Sequence, residues 1–325
     1  MTASPGASPG LGLIADIGGT NARFALCDET GKIFHQRTLQ CADYPGLLAA
    51  AQAYLADAAP SEPPCLGAFD VAGPVDGDRI EITNNPWAFS IEETRQALSF
   101  DRLEVVNDFA ANALAAPHIV ENDRVPVGGG TPTPGRPMAV IGPGTGLGTA
   151  LVVPHDGGYI PVPGEGGHAT LPAADDEEAA VIHHLRHRHG PVFAEQLISG
   201  SGLVNLHCTL SLLRGVPVEP MTPAQVGAGT DAQCRDALDM MFALLGTVAG
   251  DLALYGGARG GVFVMGGIVP RYLERFQQSK FRQRFVAKGG FEDYMEAIPT
   301  WVVTHPLPAF VGLVSLITEQ ERTTP

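Results

Sequence analysis

The sequence predicts an α/β protein of two domains, and three observations support that prediction. The chain has 325 residues, which is enough for two domains at about 150 residues each. Short apolar segments alternate along it with longer helical patterns. The group of strands that opens the chain also starts again after residue 137, and each start contains a glycine-rich turn.

Composition and charge narrow the class of protein. Hydrophobic residues make up 45% of the chain and charged residues 17%, as in a globular protein. The formal net charge, 20 − 35 = −15, disfavours nucleic acid and anionic membranes as partners. The odd number of cysteines, five, without a C-x-x-C pair, favours a reducing compartment, and residues 1–10 lack the positive charge of a signal peptide. A cytoplasmic location is therefore expected.

The first half of the chain is interpreted as an antiparallel meander that leads into alternating helices and strands. Turns at Gly18-Gly19-Thr20 and Thr30-Gly31 separate apolar segments at 11–17, 22–28 and 32–39. A capping-box pattern, Ser90 followed by Glu93, opens a helix. The other elements predicted here are helices at 44–58 and 109–116, strands at 65–72 and 103–106, and a hairpin from 79–83 and 87–89.

The second half repeats this opening. A strand at 138–141 leads into a glycine turn, and strands at 147–153 and 159–162 follow. The Gly- and Pro-rich segment 128–137 before them is interpreted as a surface excursion near a domain junction. The remaining predicted elements are helices at 177–189, 202–214, 231–255 and 310–321 and strands at 261–265 and 300–304. Because the repeat is far longer than about 50 residues, it indicates a duplicated plan and not a solenoid.

The two glycine-rich turns are candidate phosphate-binding elements. Their candidate residues are Gly18, Gly19, Thr20 and Asn21 in the first turn and Gly144, Thr145 and Gly146 in the second. Glycines that adopt positive φ let successive N–H groups point at one anion. Asp16, at the end of the first strand, could face the water shell of a Mg²⁺ ion. Each turn alone is equally explained as an ordinary hairpin turn, and the G-x-x-x-x-G-K-[ST] phosphate loop does not occur.

Polar residues at loops and strand ends are candidates for sugar chemistry. Asn107 and Asp108 follow an apolar strand, where α/β sheets bind ligands and where a carboxylate can act as a general base. Asp108 is equally explained as a helix cap. Glu165 and His168 lie in a glycine-rich loop and can hydrogen-bond a polyol, whereas Glu195 is expected from the residues alone to be a surface acid on a helix.

Two further features leave alternatives open. Gly266-Gly267 follows a buried strand and would let the backbone approach a flat ligand, or it marks the entry to a helix with Pro270 near its start. The histidine-rich helix, with His183 and His187 one turn apart, is interpreted as a solvated face, because no carboxylate or cysteine completes a metal site.

Together these segments resemble the bacterial ATP-dependent glucokinases of the hexokinase and actin-like ATPase superfamily. The segments that match are DIGGTNAR at 16–23, TNNPWAFS at 83–90, VND at 106–108, GPGTGLG at 142–148, PGEGGH at 163–168, LVN at 203–205 and GGIVPR at 266–271. Each motif is short, and their order and spacing over some 300 residues carry the resemblance. The cysteine zinc motif of the related ROK sugar kinases is absent, which favours the non-ROK group.

The resemblance implies a two-domain actin-like ATPase fold, of the ribonuclease H-like type, with a cleft between the domains. The small α/β domain is expected over residues 10–118 and 308–325, and the large one over 119–307. The resemblance implies that Asp108 takes the proton of the sugar 6-hydroxyl. The implied contacts of D-glucose are Asn107, Asp108, Glu165, His168 and Glu195. ATP phosphates are expected at the two glycine turns and adenosine near Gly266 and Gly267.

The expected activity is transfer of the ATP γ-phosphoryl group to the 6-hydroxyl of D-glucose, with Mg²⁺, by a homodimer. Two alternatives remain at this point: a kinase for another hexose or amino sugar on the same fold, and a non-catalytic ATP-binding regulator. The presence of Asp108 disfavours the regulator. A polyphosphate phosphatase of the superfamily is disfavoured by the matches in the sugar-binding loops.

Overall fold

The computed structural model describes residues 10–318, which form two compact units. One unit comprises residues 10–119, 155–161 and 306–318, and the other comprises 120–154 and 162–305. The strands are β1 (Gly12–Ile17), β2 (Asn21–Cys27), β3 (Ile33–Gln40), β4 (Leu66–Val71), β5 (Arg79–Glu81), β6 (Ala88–Ser90), β7 (Arg102–Asn107), β8 (Arg124–Pro126), β9 (Met138–Pro143), β10 (Leu147–His155), β11 (Gly158–Gly164), β12 (Gly261–Val264) and β13 (Thr300–Val303). The helices are α1 (Leu47–Ala58), α2 (Ile91–Ala97), α3 (Asp108–Ala115), α4 (Asp176–His189), α5 (Gly200–Leu213), α6 (Pro223–Ala228), α7 (Ala232–Gly256), α8 (Leu273–Gln278), α9 (Phe281–Val286), α10 (Glu292–Glu296) and α11 (Pro308–Thr318).

The first unit is built on a five-stranded sheet in the order β3-β2-β1-β4-β7. β1, β2 and β3 pair antiparallel, whereas β4 and β7 run parallel to β1. Successive residues of β1 are buried on opposite faces of the sheet. Leu13 packs in the core that includes Tyr54 of α1, and Ile14 packs in the core that includes Phe310 of α11. Because β1, β4 and β7 are parallel, their carboxyl ends meet at one edge of the sheet.

The second unit is built on a six-stranded sheet in the order β11-β10-β9-β12-β13-β8. β9 and β10 form a hairpin, and β12 and β13 run parallel to β9. The 25-residue helix α7 supplies much of the core. Among the described residues, α7 alone is long and apolar enough to cross a membrane by length and composition, and 67% of its apolar window is buried inside the protein. Its burial accounts for its composition.

The predicted order of elements is confirmed, with differences at the ends and among short helices. α1 begins at Leu47, three residues later than expected, and the predicted Ser90 cap is present, since its Oγ accepts the Glu93 N–H at 3.0 Å. β8, α6, α8, α9 and α10 were not predicted, because elements of three to six residues carry too little periodicity. Residues 1–9 and 319–325, including the end of the predicted last helix, lie outside the described residues.

Candidate active site

The edge where the parallel strands of the first unit end gathers several predicted polar residues. Asp16 on β1 lies opposite Asp70 on β4, and Val71 lies opposite Asn107 on β7. Asp108 follows at once as the first residue of α3. The register of the sheet therefore brings Asp16, Asn107 and Asp108 together, as the sequence analysis expected of strand ends.

Asp16 is held by an ion pair. Arg23 lies directly opposite on β2, and its Nη1 donates to Asp16 Oδ2 at 2.7 Å. The Asp16 side chain is 20% exposed, so a ligand can reach it. Sequence reasoning gave Arg23 no role; only the antiparallel register shows that the two side chains meet.

Asp70 is the acidic residue that the sequence analysis missed. It is fully buried, and neither carboxylate oxygen has a hydrogen-bond partner among the described residues. Burial, followed by repulsion from Asp16 and Asp108, raises the pKa of this carboxyl well above its ordinary value. The available signal was the one charge in the otherwise apolar predicted strand at 65–72. A buried carboxyl without a partner beside two other acids marks this edge as a site and not as ordinary core.

Asn107 acts as the N-cap of α3. Its Oδ1 accepts the N–H groups of Phe109 and Ala110 at 2.9 and 3.3 Å. Its Nδ2 donates to the Gly73 carbonyl at 2.9 Å. The open alternative for this segment is thus resolved in an unexpected way, because Asn107 and not Asp108 caps the helix. The Asn107 side chain also hydrogen-bonds the Asp108 carboxyl.

Asp108 is partly buried at the start of α3. Its Oδ1 accepts the Phe109 N–H at 2.9 Å, a bond that lowers its pKa. Burial outweighs that bond and, with Asp16 nearby, raises the pKa of Asp108 from 3.8 to about 6. A carboxyl with this pKa is ionised at neutral pH and remains basic enough to accept a proton from an alcohol in a transition state.

The first glycine turn is closed by backbone and amide bonds. The Gly18 N–H donates to the Asn21 carbonyl at 2.9 Å, and the Asn85 amide donates to the Gly18 carbonyl at 3.0 Å. A Cβ on Gly19 would lie 3.1 Å from the Asn84 carbonyl oxygen. Thr20, beside them, is exposed. The glycines thus allow the turn to pack against residues 84 and 85.

The expectation of positive φ in the two glycine turns is wrong. The glycines with positive φ in the described chain do not include Gly18, Gly19, Gly144 or Gly146. A nest that depends on left-handed backbone is therefore not the reason for these glycines. Close packing explains Gly19 and Gly146 instead, since a Cβ on either would press on a neighbouring oxygen.

The second glycine turn joins β9 to β10 and contacts the start of α5. The Gly144 N–H donates to the Gly146 carbonyl at 2.8 Å, and the Gly144 carbonyl accepts the Gly200 N–H at 2.9 Å. A Cβ on Gly144 would meet nothing within 4 Å, and Thr145 is exposed. The backbone of the turn is therefore held by hydrogen bonds, while the side of Gly144 and Thr145 is open.

Glu195 is bound to this turn. Its Oε2 accepts the Leu147 N–H at 2.9 Å, and a Cβ on Gly146 would overlap the same oxygen. Glu195 is partly buried on a single helical turn, Ala194–Gln196, so the expectation of a surface acid on a helix is wrong. The contact spans 48 residues of sequence, which is why no local pattern indicates it.

The loop that carries Glu165 and His168 follows β11 and packs against β10, beside the second glycine turn. Thr149 of β10 holds it, because its Oγ1 accepts the Gly166 N–H at 3.0 Å. The His168 ring stacks on Phe193, with ring centroids 4.9 Å apart. Glu165 and His168 are both exposed. The second unit therefore brings these two residues, the glycine turn and Glu195 into one neighbourhood.

Gly266 and Gly267 complete that neighbourhood. Gly266 has φ +89°, and a Cβ there would lie 2.6 Å from the Pro143 carbonyl oxygen at the end of β9. A Cβ on Gly267 would meet nothing within 4 Å. Gly266 therefore packs against the end of β9, whereas the position beside Gly267 is open. A short helical turn, Val269–Tyr272, follows the pair.

The chain is similar to known proteins over nearly its whole length. The glucokinase family model matches residues 13–320. The glucokinase of Paramagnetospirillum magneticum (strain ATCC 700264 / AMB-1) is 51% identical over 315 residues, which cover 95% of this chain and 98% of that protein. The crystal structure of a glucokinase from an Antarctic psychrotroph has a TM-score of 0.88 at 36% identity and covers 95% of this chain and 99% of that chain. A ROK family glucokinase from Streptomyces griseus, solved with glucose and AMPPNP, has a TM-score of 0.63 at 19% identity, with 94% and 99% covered, and shows the fold alone.

The two sheets and the solved structures give this chain the actin-like ATPase fold, which confirms the predicted fold class. The family match makes it an ATP-dependent hexose kinase. More narrowly, the chain belongs to the glucokinase family, in the bacterial group outside the ROK kinases. The resemblance inferred from the motifs is therefore confirmed.

Proposed function

We propose that this chain transfers the γ-phosphoryl group of ATP to the 6-hydroxyl of D-glucose, giving glucose 6-phosphate and ADP. The observation that carries the proposal is Asp108, a partly buried carboxylate at the end of a parallel strand with its pKa raised to about 6. Phosphoryl transfer needs alignment and charge stabilisation, and little covalent chemistry from the protein. A base that orients the hydroxyl and takes its proton meets that need.

In the first unit, Asp108 accepts the proton of the 6-hydroxyl as that oxygen attacks phosphorus. Asn107 is proposed to contact the sugar beside it, since its oxygen fixes the start of α3 and its side chain hydrogen-bonds Asp108. The residues Gly18, Gly19, Thr20 and Asn21 are proposed to bind the ATP phosphates through their turn. The partly exposed backbone of that turn supports this role.

In the second unit, Glu165, His168 and Glu195 are proposed to hydrogen-bond the glucose hydroxyls. Glu195 supports this role because the Leu147 N–H fixes its orientation through Oε2, so its second oxygen is positioned in advance. The open side of Gly144, the exposed Thr145 and Gly146 suit phosphate, and Gly266 and Gly267 suit the flat adenine ring. These assignments rest on the family motifs together with the packing described above.

The acidic edge of the first unit fits a Mg²⁺ ion accompanying ATP. Mg²⁺ prefers oxygen ligands and usually keeps several waters. Asp16 offers a partly exposed carboxylate to that water shell. Both oxygens of the buried Asp70 beside it lack a hydrogen-bond partner among the described residues, and a cation at this edge would favour their ionised form. When bound, the ion neutralises charge on the phosphates.

A cytoplasmic location is part of the proposal. The five cysteines are all free, and three of them (Cys27, Cys41 and Cys234) are buried, which suits a reducing compartment. The homodimer stays a prediction, which light scattering on the purified protein would test.

The test is an assay of sugar phosphate formation from glucose, mannose, galactose, fructose and N-acetylglucosamine, with ATP, ADP or polyphosphate as the donor. The proposal expects glucose with ATP to give the highest kcat/KM. It expects Asp108→Asn to lower kcat by about 10²–10⁴-fold while glucose binding persists, and Asp101→Asn, an exposed neighbour, to leave kcat unchanged. A better hexose or amino sugar would favour the first alternative, and ATP binding without turnover of any sugar would favour a regulator.

A further inference from the structure

A second group of polar side chains lies in the second unit, on elements that the proposed function does not use. His207 lies on α5, Asp231 is the N-cap of α7, and Cys234 lies in the first turn of α7. One ligand atom from each of the three lies within 4.8 Å of the others. We propose that His207, Asp231 and Cys234 bind one divalent transition-metal ion of the Zn²⁺ class. The inference is independent of the proposed function.

His207 supplies an independent reason to expect a ligand. Its side chain is buried, at 5% relative exposure, and Nδ1 has no hydrogen-bond partner among the described residues. A buried imidazole nitrogen is normally satisfied by the protein or by water. Neutral imidazole is also the commonest metal ligand in proteins. A cation between His207 and its two neighbours would satisfy this nitrogen.

Gly229 holds two of the candidate ligand atoms on one side. A Cβ on Gly229 would overlap Cys234 Sγ and would lie 3.3 Å from Asp231 Oδ2, so only glycine lets the chain pass this close to both atoms. Asp231 Oδ1 serves as the cap, since it accepts the Cys234 N–H at 2.9 Å. The Cys234 thiol also hydrogen-bonds the Asp231 carboxylate, a contact that a bound ion would replace. Asp231 is exposed whereas Cys234 is fully buried. The site is therefore closed at the sulfur end and open to solvent at the carboxylate.

The donor set selects the class of metal. A thiolate, an imidazole and a carboxylate are the three ligand types that Zn²⁺ takes, at about 2.0–2.3 Å, in tetrahedral geometry. Mg²⁺ and Ca²⁺ prefer oxygen alone. On binding, the Cys234 S–H bond breaks, the sulfur coordinates the ion and the proton leaves to solvent. Water occupies the fourth position at the open side, near the Asp231 carboxylate.

Bound metal would tie α5 to the start of α7. The two helices already pack together in the core through residues such as Leu206 and Leu238. At this point the N-terminus of α7 is capped by Asp231. An ion that joins the two helices stabilises the folded unit, because the unfolded chain does not preform the site.

A second pair of histidines must be separated from this site. His183 and His187 lie one turn apart on α4, with their Nε2 atoms 3.1 Å apart, and both are exposed. Such a pair can hold a metal with two ligands only. The His187→Gln variant removes it and serves as one control. Cys208→Ser, next to His207 on α5 and outside the ligand group, serves as the other.

The experiment measures metal binding by the full-length protein without an affinity tag. Zn²⁺ is titrated in competition with a chromophoric chelator, and Co²⁺ is added separately to detect thiolate-to-cobalt absorption. We expect one tight Zn²⁺ per chain, a thiolate band with Co²⁺, and a rise in melting temperature with Zn²⁺. Cys234→Ala should abolish the band, and Asp231→Asn, which keeps the cap acceptor, should weaken Zn²⁺ by at least about tenfold, the loss that even an outer-shell change can cause. Both controls should bind as wild type.

The proposal is overturned if the Co²⁺ spectrum lacks the thiolate band, if Asp231→Asn binds Zn²⁺ as tightly as wild type, or if His187→Gln alone loses the metal. Should Cys234→Ala fail to fold, Asp231→Asn and the cobalt spectrum of the wild type still decide the question.

Discussion

Asp108 is the proposed general base, and its raised pKa predicts how activity depends on pH. A general base must be ionised to act, and burial raises the pKa of Asp108 to about 6. We expect kcat/KM for glucose to be level above pH 6 and to fall about tenfold for each pH unit below it, since the protonated fraction grows by that factor. An assay of ADP formation at saturating Mg-ATP, with stability checked at each pH, measures this. A kcat/KM that stays constant down to pH 4.5 would show that Asp108 is not the general base.

Asp70 predicts an unusual dependence of stability on pH. A carboxyl whose folded-state pKa is raised binds its proton more tightly in the native state than in the unfolded chain. Its contribution to stability is therefore lost as pH rises above the unfolded value of about 3.9. Asp70→Asn removes this cost and can donate to Asp16, so we expect the variant to be more stable than wild type at pH 7 by roughly 1–3 kcal/mol. The gain should shrink at pH 4.5. Thermal melts of both proteins without nucleotide or Mg²⁺ measure the difference. A lower melting temperature of Asp70→Asn than of wild type at pH 7 would contradict the prediction.

At the residue scale, the sequence predicts which side chains stand at strand ends, and it does not predict their partners. Asp16 and Asp108 follow apolar segments, so the sequence predicts that both lie at strand ends. The Arg23 ion pair, the isolation of Asp70 and the Glu195 contact with Leu147 depend on register and on chain segments far apart. Burial and pairing are properties of the folded sheet, and a local pattern does not contain them.

Among the elements, the second glycine turn gives a matched pair of variants. The Gly144 position is open, whereas a side chain on Gly146 overlaps Glu195. We expect Gly144→Val to fold normally, to bind glucose as wild type and to weaken Mg-ATP by roughly 1–3 kcal/mol, because the side chain fills the space proposed for phosphate. Gly146→Ala should instead weaken glucose, since it displaces Glu195. Calorimetry with each ligand separately measures both. Unchanged ATP affinity in Gly144→Val would show that this turn does not bind phosphate.

The C-terminal helix α11 depends on one close approach. A Cβ on Gly312 would overlap the Ala111 carbonyl oxygen of α3, so only glycine lets the two helices pack at this distance. We expect Gly312→Ala to lower the free energy of unfolding by about 1–3 kcal/mol, although alanine is the better helix former. Urea unfolding of this variant, with Gly144→Ala as a control at an open position, measures the cost. Equal stability of the two variants would contradict the packing.

Elements with long periodic patterns were predictable, and short ones were not. The three strands of the opening meander and helices such as α4, α5 and α7 have enough residues to show an apolar period. The helices α8, α9 and α10 have five or six residues each and form because the core around Phe281 and Phe285 holds them. Tertiary packing, and not local preference, fixes elements of that length.

Across the whole molecule, the duplicated plan inferred from the glycine turns is confirmed by the sheets. The order β3-β2-β1-β4-β7 in one unit corresponds to β11-β10-β9-β12-β13 in the other, with β8 added at the edge. In both, a hairpin is followed by strands parallel to its first member. The acids differ, however: Asp16 and Asp70 occupy paired positions in the first sheet, and their topological counterparts in β9 and β12 are apolar. The duplication therefore explains the scaffold, while the chemistry is specific to each half.

Specificity for glucose is expected to depend on hydroxyl partners from three separate segments of the chain. The proposed partners are Asn107, Asp108, Glu165, His168 and Glu195. A site that reads hydroxyls by hydrogen bonds can discriminate by up to about 10⁴–10⁵ against an analogue that leaves its buried partners unpaired. We therefore expect kcat/KM for glucose to exceed that for galactose, which differs in one hydroxyl, by at least about 10²-fold.

The acids give this prediction a matched test. Glu195→Gln keeps an oxygen for the Leu147 N–H and removes only the charge, so the fold should persist while glucose binding weakens. Glu165→Gln, at an exposed position, should weaken glucose in the same way, and Glu177→Gln on α4 should not. The measurement is kcat/KM for both epimers on wild type and the three variants. Comparable values for glucose and galactose on wild type would overturn the substrate assignment. They would leave the kinase assignment intact, since both sugars would still be phosphorylated.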